Sequence, residues 1–406
     1  MAEQVLAGIR VADFAWQGVG PMTSRYLAHH GAEVIRVETT THPDVQRSSW
    51  PFKDNIPGPN RAGYFNNFNT NKRGILLNLG HPQGVEVARR LVACSDIVTE
   101  AFSAGVMAKY GLAYEDLVKV KPDLIMVSMA LMGQTGPHRR YRGHGMHLAA
   151  ASGVGYLIGW PDRRPVGSPH AYTDFFVPHF AACALLAALD YRRRTGRGQY
   201  IDVSQFEVSI HALETAVLDY TVNGREQSRN GNRLIGLDAA PHGAYRCRGE
   251  DRWCTIAIFT DAEWRRFGAV IGAPVWAANA RFATVGGRVR HADELDRLVE
   301  SWTAPRTAEE VFHQLQGAGL DAGIVQSNQD IHRDPQLEHR GHFWRLEHPE
   351  CGPSKYDGPS FRLSRTPAVV DRPAPLLGQH TQQVVTEVLG YSDDEFVAML
   401  AAGAFE

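Results

Sequence analysis

The chain has almost no net charge, few cysteines and no metal-binding spacing. Its 42 Lys and Arg against 44 Asp and Glu leave −2 at neutral pH, so no global field draws it to nucleic acid or to an anionic membrane. The five cysteines, Cys94, Cys183, Cys247, Cys254 and Cys351, are scattered, odd in number and lack a CxxC pair. That pattern points to reduced thiols and away from a zinc site. Eighteen histidines invite a metal, but no HExxH or comparable spacing occurs, and no metal ligand is assigned. His29 and His30 read as a solvated helix end. The start of the chain lacks the basic-then-apolar build of an export signal. Residues 5–14 are too few to span a bilayer and include Arg10 and Asp13. The longest apolar run, residues 175–189, is broken by Pro178 and His179 and reads as a buried core helix. These absences predict a soluble cytoplasmic protein without nucleic-acid or membrane partners.

A chain of 406 residues exceeds one compact core and predicts about two to three domains. Residues 8–14 read as a strand, 22–30 as a helix and 32–38 as a second strand, a βαβ unit that requires a parallel sheet. The joining loop, Gln17-Gly18-Val19-Gly20-Pro21, looks like a dinucleotide fingerprint. However, Thr23 stands where the third glycine belongs and Pro21 follows the second, so NAD is rejected. Strands at 74–79, 96–100 and 124–129 alternate with helices at 82–94, 104–110 and 114–120. The alternation predicts a doubly wound, Rossmann-like α/β domain.

Ligands gather at the carboxyl ends of such strands. Here those ends carry Gln17, Glu38, Glu100 and the loop Gly133-Gln134-Thr135-Gly136-Pro137. Lys72 and Arg73 are placed in a loop before a strand, beside Asn69 and Asn71, where two cations suit a phosphorylated ligand. A strand at 199–204 and a helix at 205–222 lead into a polar linker, 223–232. A hairpin at 244–248 and 253–258 follows, then helices at 261–271, 292–302 and 307–317, which together make a smaller α+β domain. The expected division is 1–222 for the large domain, 223–329 for the linker and small domain, and 330–406 for a C-terminal segment that returns to the large domain and ends in a helix at 381–389.

Asp174 stands where a turn-rich loop meets the apolar run. It reads either as the N-cap of the helix, favoured there by the helix dipole, or as a nucleophile at the edge of a dry pocket. Its immediate neighbours leave both readings open.

Several segments, taken in order, resemble the family III CoA-transferases, a group that includes formyl-CoA and carnitine CoA-transferases and α-methylacyl-CoA racemase. They are Leu6-Ala7-Gly8-Ile9-Arg10-Val11 with Gly20-Pro21, then Gly31–Glu38, Asn69–Arg73, the strand leading to Gly133–Pro137, and Thr195–Ser204. The late stretches at 318–323, 334–337 and 375–381 fit as well, so the resemblance runs almost end to end. It implies that Asp174 is the nucleophile, passing through a mixed anhydride and an aspartyl-CoA thioester. It implies that Gln17 and Val19 line the pantetheine channel and that Arg36, Lys72 and Arg73 meet the CoA phosphates. Oxyanion N–H groups would come from Gly133–Gly136 or Gly143–Gly145, with Gly133 and Gln134 counted among the CoA-binding residues.

The resemblance further implies an interlocked homodimer, and no cofactor beyond CoA and acyl-CoA as substrate. The acceptor would be a small carboxylic acid held near His144, His147 and Tyr172, with Arg139 and Arg140 close by. The sequence departs from the usual transferase pattern in two places, one being Phe175-Phe176-Val177-Pro178 after Asp174, where a small-residue turn is more common. In the other, Gly143-His144-Gly145 stands where the transferases often have Gly-Tyr-Asp, and the racemases carry Gly-His-Asp. The alternative is therefore a racemase or epimerase using His144 and Asp174 for α-proton transfer. Racemisation needs a second, opposed base. Thr260 occupies the approximately matching position, and Asp261, one step on, is expected to cap the following helix. Transfer is the leading reading.

Overall fold

The computed structural model describes residues 4–168 and 170–406. The chain divides into two units, one comprising Met1–Gly155, Gly167–Glu226 and His339–Glu406, the other Tyr156–Val166 and Gln227–Glu338.

In the first unit, runs rich in Val and Ile form six strands: β1 (Arg10–Asp13), β2 (Glu33–Glu38), β3 (Lys72–Leu76), β4 (Ile97–Glu100), β5 (Ile125–Ser128) and β6 (Gln199–Asp202). All neighbours pair in parallel, in the order β3-β2-β1-β4-β5-β6, as expected for a doubly wound sheet. β1, β2, β4 and β5 are buried on both faces, so alternate residues feed opposite cores, while the edge strand β6 is largely exposed. Ala12, Ile35, Ile75, Val98 and Met126 pack with Val87, Leu91 and Val92 of the Pro82–Ala93 helix. Val11, Val34, Ile97, Ile125 and Val127 pack on the other side, against Leu27 of helix α1 (Val19–His29) and against the Tyr172–Thr195 helix.

That long helix buries Val177, Ala181, Leu185 and Ala188, spacings of three and four that make one stripe. The opposite face exposes Phe175, Phe180, Leu186 and Tyr191, so the expectation of a buried helix holds for one side only. Among the described residues it is the one helix long and apolar enough to cross a membrane by length and composition.

Several boundaries shift. β3 begins at Lys72, paired with Val34, so Lys72 and Arg73 lie in the strand and not in a loop before it. The 205–222 segment is two helices, Gln205–His211 and Glu214–Asn223. His29 and His30 are buried, not solvated: His29 Nε2 lies 2.7 Å from Thr70 Oγ1, and burial holds its pKa well below 6.5. The C-terminal segment adds a hairpin, Phe343–His348 with Gly352–Asp357, and the helix Asp393–Ala401. Its Phe396, Met399 and Phe405 join the core beneath the Pro82–Ala93 helix.

The second unit holds an antiparallel sheet, β7 (His242–Arg246), β8 (Trp253–Ala257) and β9 (Asp321–Ile324), in that spatial order. Its core gathers Trp264, Phe267, Phe282, Leu295, Val299 and Leu315. Residues 156–166, expected in the large domain, belong here. Gly231 N–H donates to Gly159 O at 2.9 Å, and the Arg229 guanidinium lies 5.1 Å from the centre of the Tyr156 ring. Thr260, not Asp261, caps the Asp261–Val270 helix.

Candidate active site

A cavity of about 640 Å³ opens at the carboxyl ends of β1, β2, β4 and β5, beside the β1/β4 junction where the strand order reverses and ligands of doubly wound sheets sit. Trp16–Val19 line it after β1, Gln46 and Ser49 after β2, Ala101–Ser103 after β4, and Ala130 and Leu131 after β5. The stretch from Arg139 to Met146 closes another side, and Asp174 and Gln205 complete the wall.

Asp174 is the carboxylate among these lining residues. The helix is capped by Ala171 without a side-chain bond, so Asp174 is not the N-cap but lies in the first turn. Its nearest neighbours are glycines. A Cβ on Gly18 would stand 2.5 Å from Asp174 Oδ2, and one on Gly145 would stand 2.8 Å from Oδ1. Backbone therefore approaches the carboxylate from both sides, where a side chain would displace it. Gly18 is also the N-cap of α1, which brings the positive end of an eleven-residue helix to the carboxylate. Burial pushes the Asp174 pKa up to about 6, against the opposing pulls of Thr173, whose hydroxyl lies 3.5 Å away, and of His144. At neutral pH the group is an ionised carboxylate with little solvation, a form suited to attack.

The loop that carries Gln17 is pinned. Gln17 has φ 62°, unusual for a residue with a Cβ, and its N–H donates to both Asp44 oxygens at 3.3 and 3.1 Å. Asp44 is buried and also pairs with Arg36.

Here the phosphate-binding expectation is corrected. Arg36 is fully buried, donates to Ala15 O at 2.8 Å and faces Asp44, Glu38 and Asp13. Lys72 is buried too, donating to Asp13, Pro21 O, Ser24 and Asn69 between 2.8 and 3.2 Å. Burial drives the Lys72 pKa down to about 7, with Asp13 opposing. Arg47 completes the set by forking onto Glu38 at 2.8 and 2.6 Å, its guanidinium 3.6 Å from the centre of the Phe65 ring. Three cations answer three carboxylates, Asp13, Glu38 and Asp44, inside the protein. Arg73 pairs with Glu33 at 3.1 Å and does not line the cavity.

Of the other expected site residues, Gln17, Val19 and His144 line the cavity with Asp174, whereas His147, Tyr172, Gly133 and Gln134 do not. His147 Nδ1 accepts from His144 N–H at 3.2 Å, so it positions the loop. Tyr172 donates to Ser209 O at 3.4 Å. Gln134 donates from its backbone to Asp202 at 3.0 Å and from its amide to Glu100 at 3.1 Å, on a separate, smaller cavity. Of the two glycine stretches expected to supply N–H groups, the one around Gly143–Gly145 is at Asp174. Gln46, Tyr64 and Gln205 also line the site; no spacing or motif singles them out in the sequence.

The chain matches the sequence profile of CoA-transferase family III over residues 6–381. It is 33% identical over 397 residues to a succinyl-CoA–D-citramalate CoA-transferase of Chloroflexus aurantiacus, covering 98% of this chain and 97% of that one. It is 32% identical over 386 residues to a succinate–glutarate CoA-transferase of Agrobacterium fabrum, covering 94% and 95%. Among solved structures, a CaiB/BaiF family protein from Brucella suis superposes with a TM-score of 0.87 at 29% identity, over 95% of this chain and all of that one.

Proposed function

Because this chain belongs to CoA-transferase family III, we propose that Asp174 carries the transfer of coenzyme A from an acyl-CoA to a free carboxylic acid. The observation that carries this reading is a poorly solvated carboxylate held between Gly18 and Gly145 in the cavity at the strand ends. An Asp174 oxygen attacks the thioester carbonyl, and the tetrahedral oxyanion collapses with loss of CoA thiolate to give a mixed anhydride. The thiolate then attacks the aspartyl carbonyl, forming an enzyme-CoA thioester and releasing the first carboxylate. The acceptor carboxylate runs the same two steps in reverse, freeing Asp174. First-turn N–H groups of α1, which have no acceptor within the helix, and the backbone around Gly145 are the donors available to each oxyanion.

Gln17 and Val19 line the route to Asp174, as a pantetheine arm requires, and Arg139 supplies a cation at the cavity for an anionic substrate. The relatives' substrates favour succinyl-CoA as donor and a dicarboxylic acid as acceptor. The exposed apolar face of the Tyr172–Thr195 helix, together with Leu218, Tyr220 and Val222 of the next one, supports a homodimer.

His144 beside Asp174 is what favours the racemase alternative. Neither candidate for its second base is free: Asp261 is paired with Arg288 at 3.0 Å, and Thr260 caps a helix. Incubation with succinyl-CoA and hydroxylamine should convert Asp174 to a hydroxamate, read as a peptide mass shift. Turnover by Asp174→Ala at the wild-type rate, or rapid α-deuteration of a 2-methylacyl-CoA in heavy water without transfer, would overturn the assignment.

A further inference from the structure

One polar side chain on the cavity wall is fixed in place with its hydrogen-bonding capacity unfilled. Gln46 lies in the 3₁₀ turn Val45–Ser48, is fully buried, and lines the cavity that contains Asp174. Among the described residues neither its amide oxygen nor its amide nitrogen makes a hydrogen bond of good geometry, and the Tyr64 hydroxyl is its polar neighbour. An orphaned buried donor or acceptor costs about 1–3 kcal/mol, and buried polar groups are nearly always satisfied. Gln46 has little freedom to swing to water. Its backbone N–H donates to Asp44 at 2.9 Å, Asp44 is tied to Arg36, and the next residue, Arg47, forks onto Glu38. Tyr64 lines the same wall. Burial, then the charge of Asp174, pushes its phenol up to about 12 against the opposing pull of the Gln46 amide, so it remains a neutral O–H beside that amide.

A primary amide presents a donor beside an acceptor in one plane. A bare carboxylate would satisfy Nε2 and set negative oxygen against Oε1. A carboxylate with a hydroxyl on the adjacent carbon satisfies both, since its oxygen accepts from Nε2 and its hydroxyl donates to Oε1. We propose that Gln46, with Tyr64 beside it, reads the 2-hydroxy acid end of the acceptor, making this a transferase selective for hydroxylated dicarboxylic acids whose other carboxylate meets Asp174. The inference rests on the transfer reading above and narrows it. Sites built to hydrogen-bond a substrate hydroxyl reject analogues that lack it far more strongly than apolar pockets reject a missing methylene.

The test uses full-length protein, succinyl-CoA as donor, and 2-hydroxyglutarate against glutarate as acceptors, with products read by mass spectrometry. The wild type should favour 2-hydroxyglutarate by at least about tenfold in kcat/KM. Gln46→Leu and Gln46→Met should each cut that ratio about tenfold or more, chiefly through the KM of the hydroxy acid. A wild-type ratio near one overturns the proposal, as does a ratio kept in both variants. A kept ratio with a raised KM for succinyl-CoA assigns the amide to the pantetheine arm instead. Loss of fold in both variants, seen by thermal melting, makes the amide structural and also overturns it. Absence of transfer to either acid by the wild type would instead refute the transfer reading beneath.

Discussion

Replacing Asp174 by Asn should abolish transfer and stabilise the protein. The carboxyl titrates near 3.8 when solvated and at about 6 in the fold, chiefly through burial. A shift of about 2 units corresponds to at most about 3 kcal/mol. The sign follows from proton binding. Below about pH 4 both folded and unfolded chains hold the proton, and the wild type carries no penalty. Between about 4 and 6 only the folded chain holds it, so wild-type stability falls as pH rises. Above 6 the folded state bears the full cost of a poorly solvated charge. Asparagine has nearly the same shape and never ionises. At pH 7.5 Asp174→Asn should therefore melt several degrees higher, since domains of roughly 200 residues gain about 2–4 °C per kcal/mol. At pH 4 the two melting temperatures should converge. Paired thermal melts at half-unit steps from pH 4 to 8 measure this directly. A variant less stable than the wild type at pH 7.5, or a difference that ignores pH, would refute the view that Asp174 is held at an energetic cost.

Three further outcomes are expected. Gly18 has φ −71° and ψ −66°, a conformation open to alanine, so Gly18→Ala should fold and yet lose about 10²-fold or more in kcat, because its Cβ would displace the Asp174 carboxylate; steady-state kinetics at the wild-type rate would contradict this. The rate at limiting substrate should fall about tenfold per unit as pH drops below about 6 and level off above it, as Asp174 must be ionised to attack; a flat profile from pH 5 to 7 would count against it. Lys72→Met should cost about 3–5 kcal/mol by leaving Asp13 short of a buried partner, read by denaturant unfolding. A stable Lys72→Met protein with a raised KM for acyl-CoA would return Lys72 to the substrate.

The parallel sheet was legible because β-branched runs alternating with helices admit few other arrangements. β9 was not, because Asp321–Ile324 contains Ala and Gly where strands favour branched residues; its state is set by pairing with Cys254–Ala257. Asp174 could be singled out through the order of the family's segments, while its helix position could not, since the helix starts a turn earlier on an uncapped Ala171. Arg36 and Lys72 were misread for one physical reason. A cation's partner can lie far off in sequence, as Asp13 does from Lys72, 59 residues away, and only folding shows that the charge is already neutralised. Gln46 left no trace at all, because being unpaired is a property of surroundings and not of spelling.

Asp44 accepts from Gln17 and from Gln46 while pairing with Arg36, so two cavity walls are cast as one piece with the charged interior behind them. A change to Asp44 or Arg36 is all-or-none, since it must disturb charges that have no water to fall back on. Among the described residues, the stretch bearing Arg139, Tyr141 and His144 has no such anchor to the charge lattice. Descendants of this sequence that acquire a taste for a different acid should therefore be found to differ there or at the Gln46 side chain first, with Asp44 and Arg36 inherited intact.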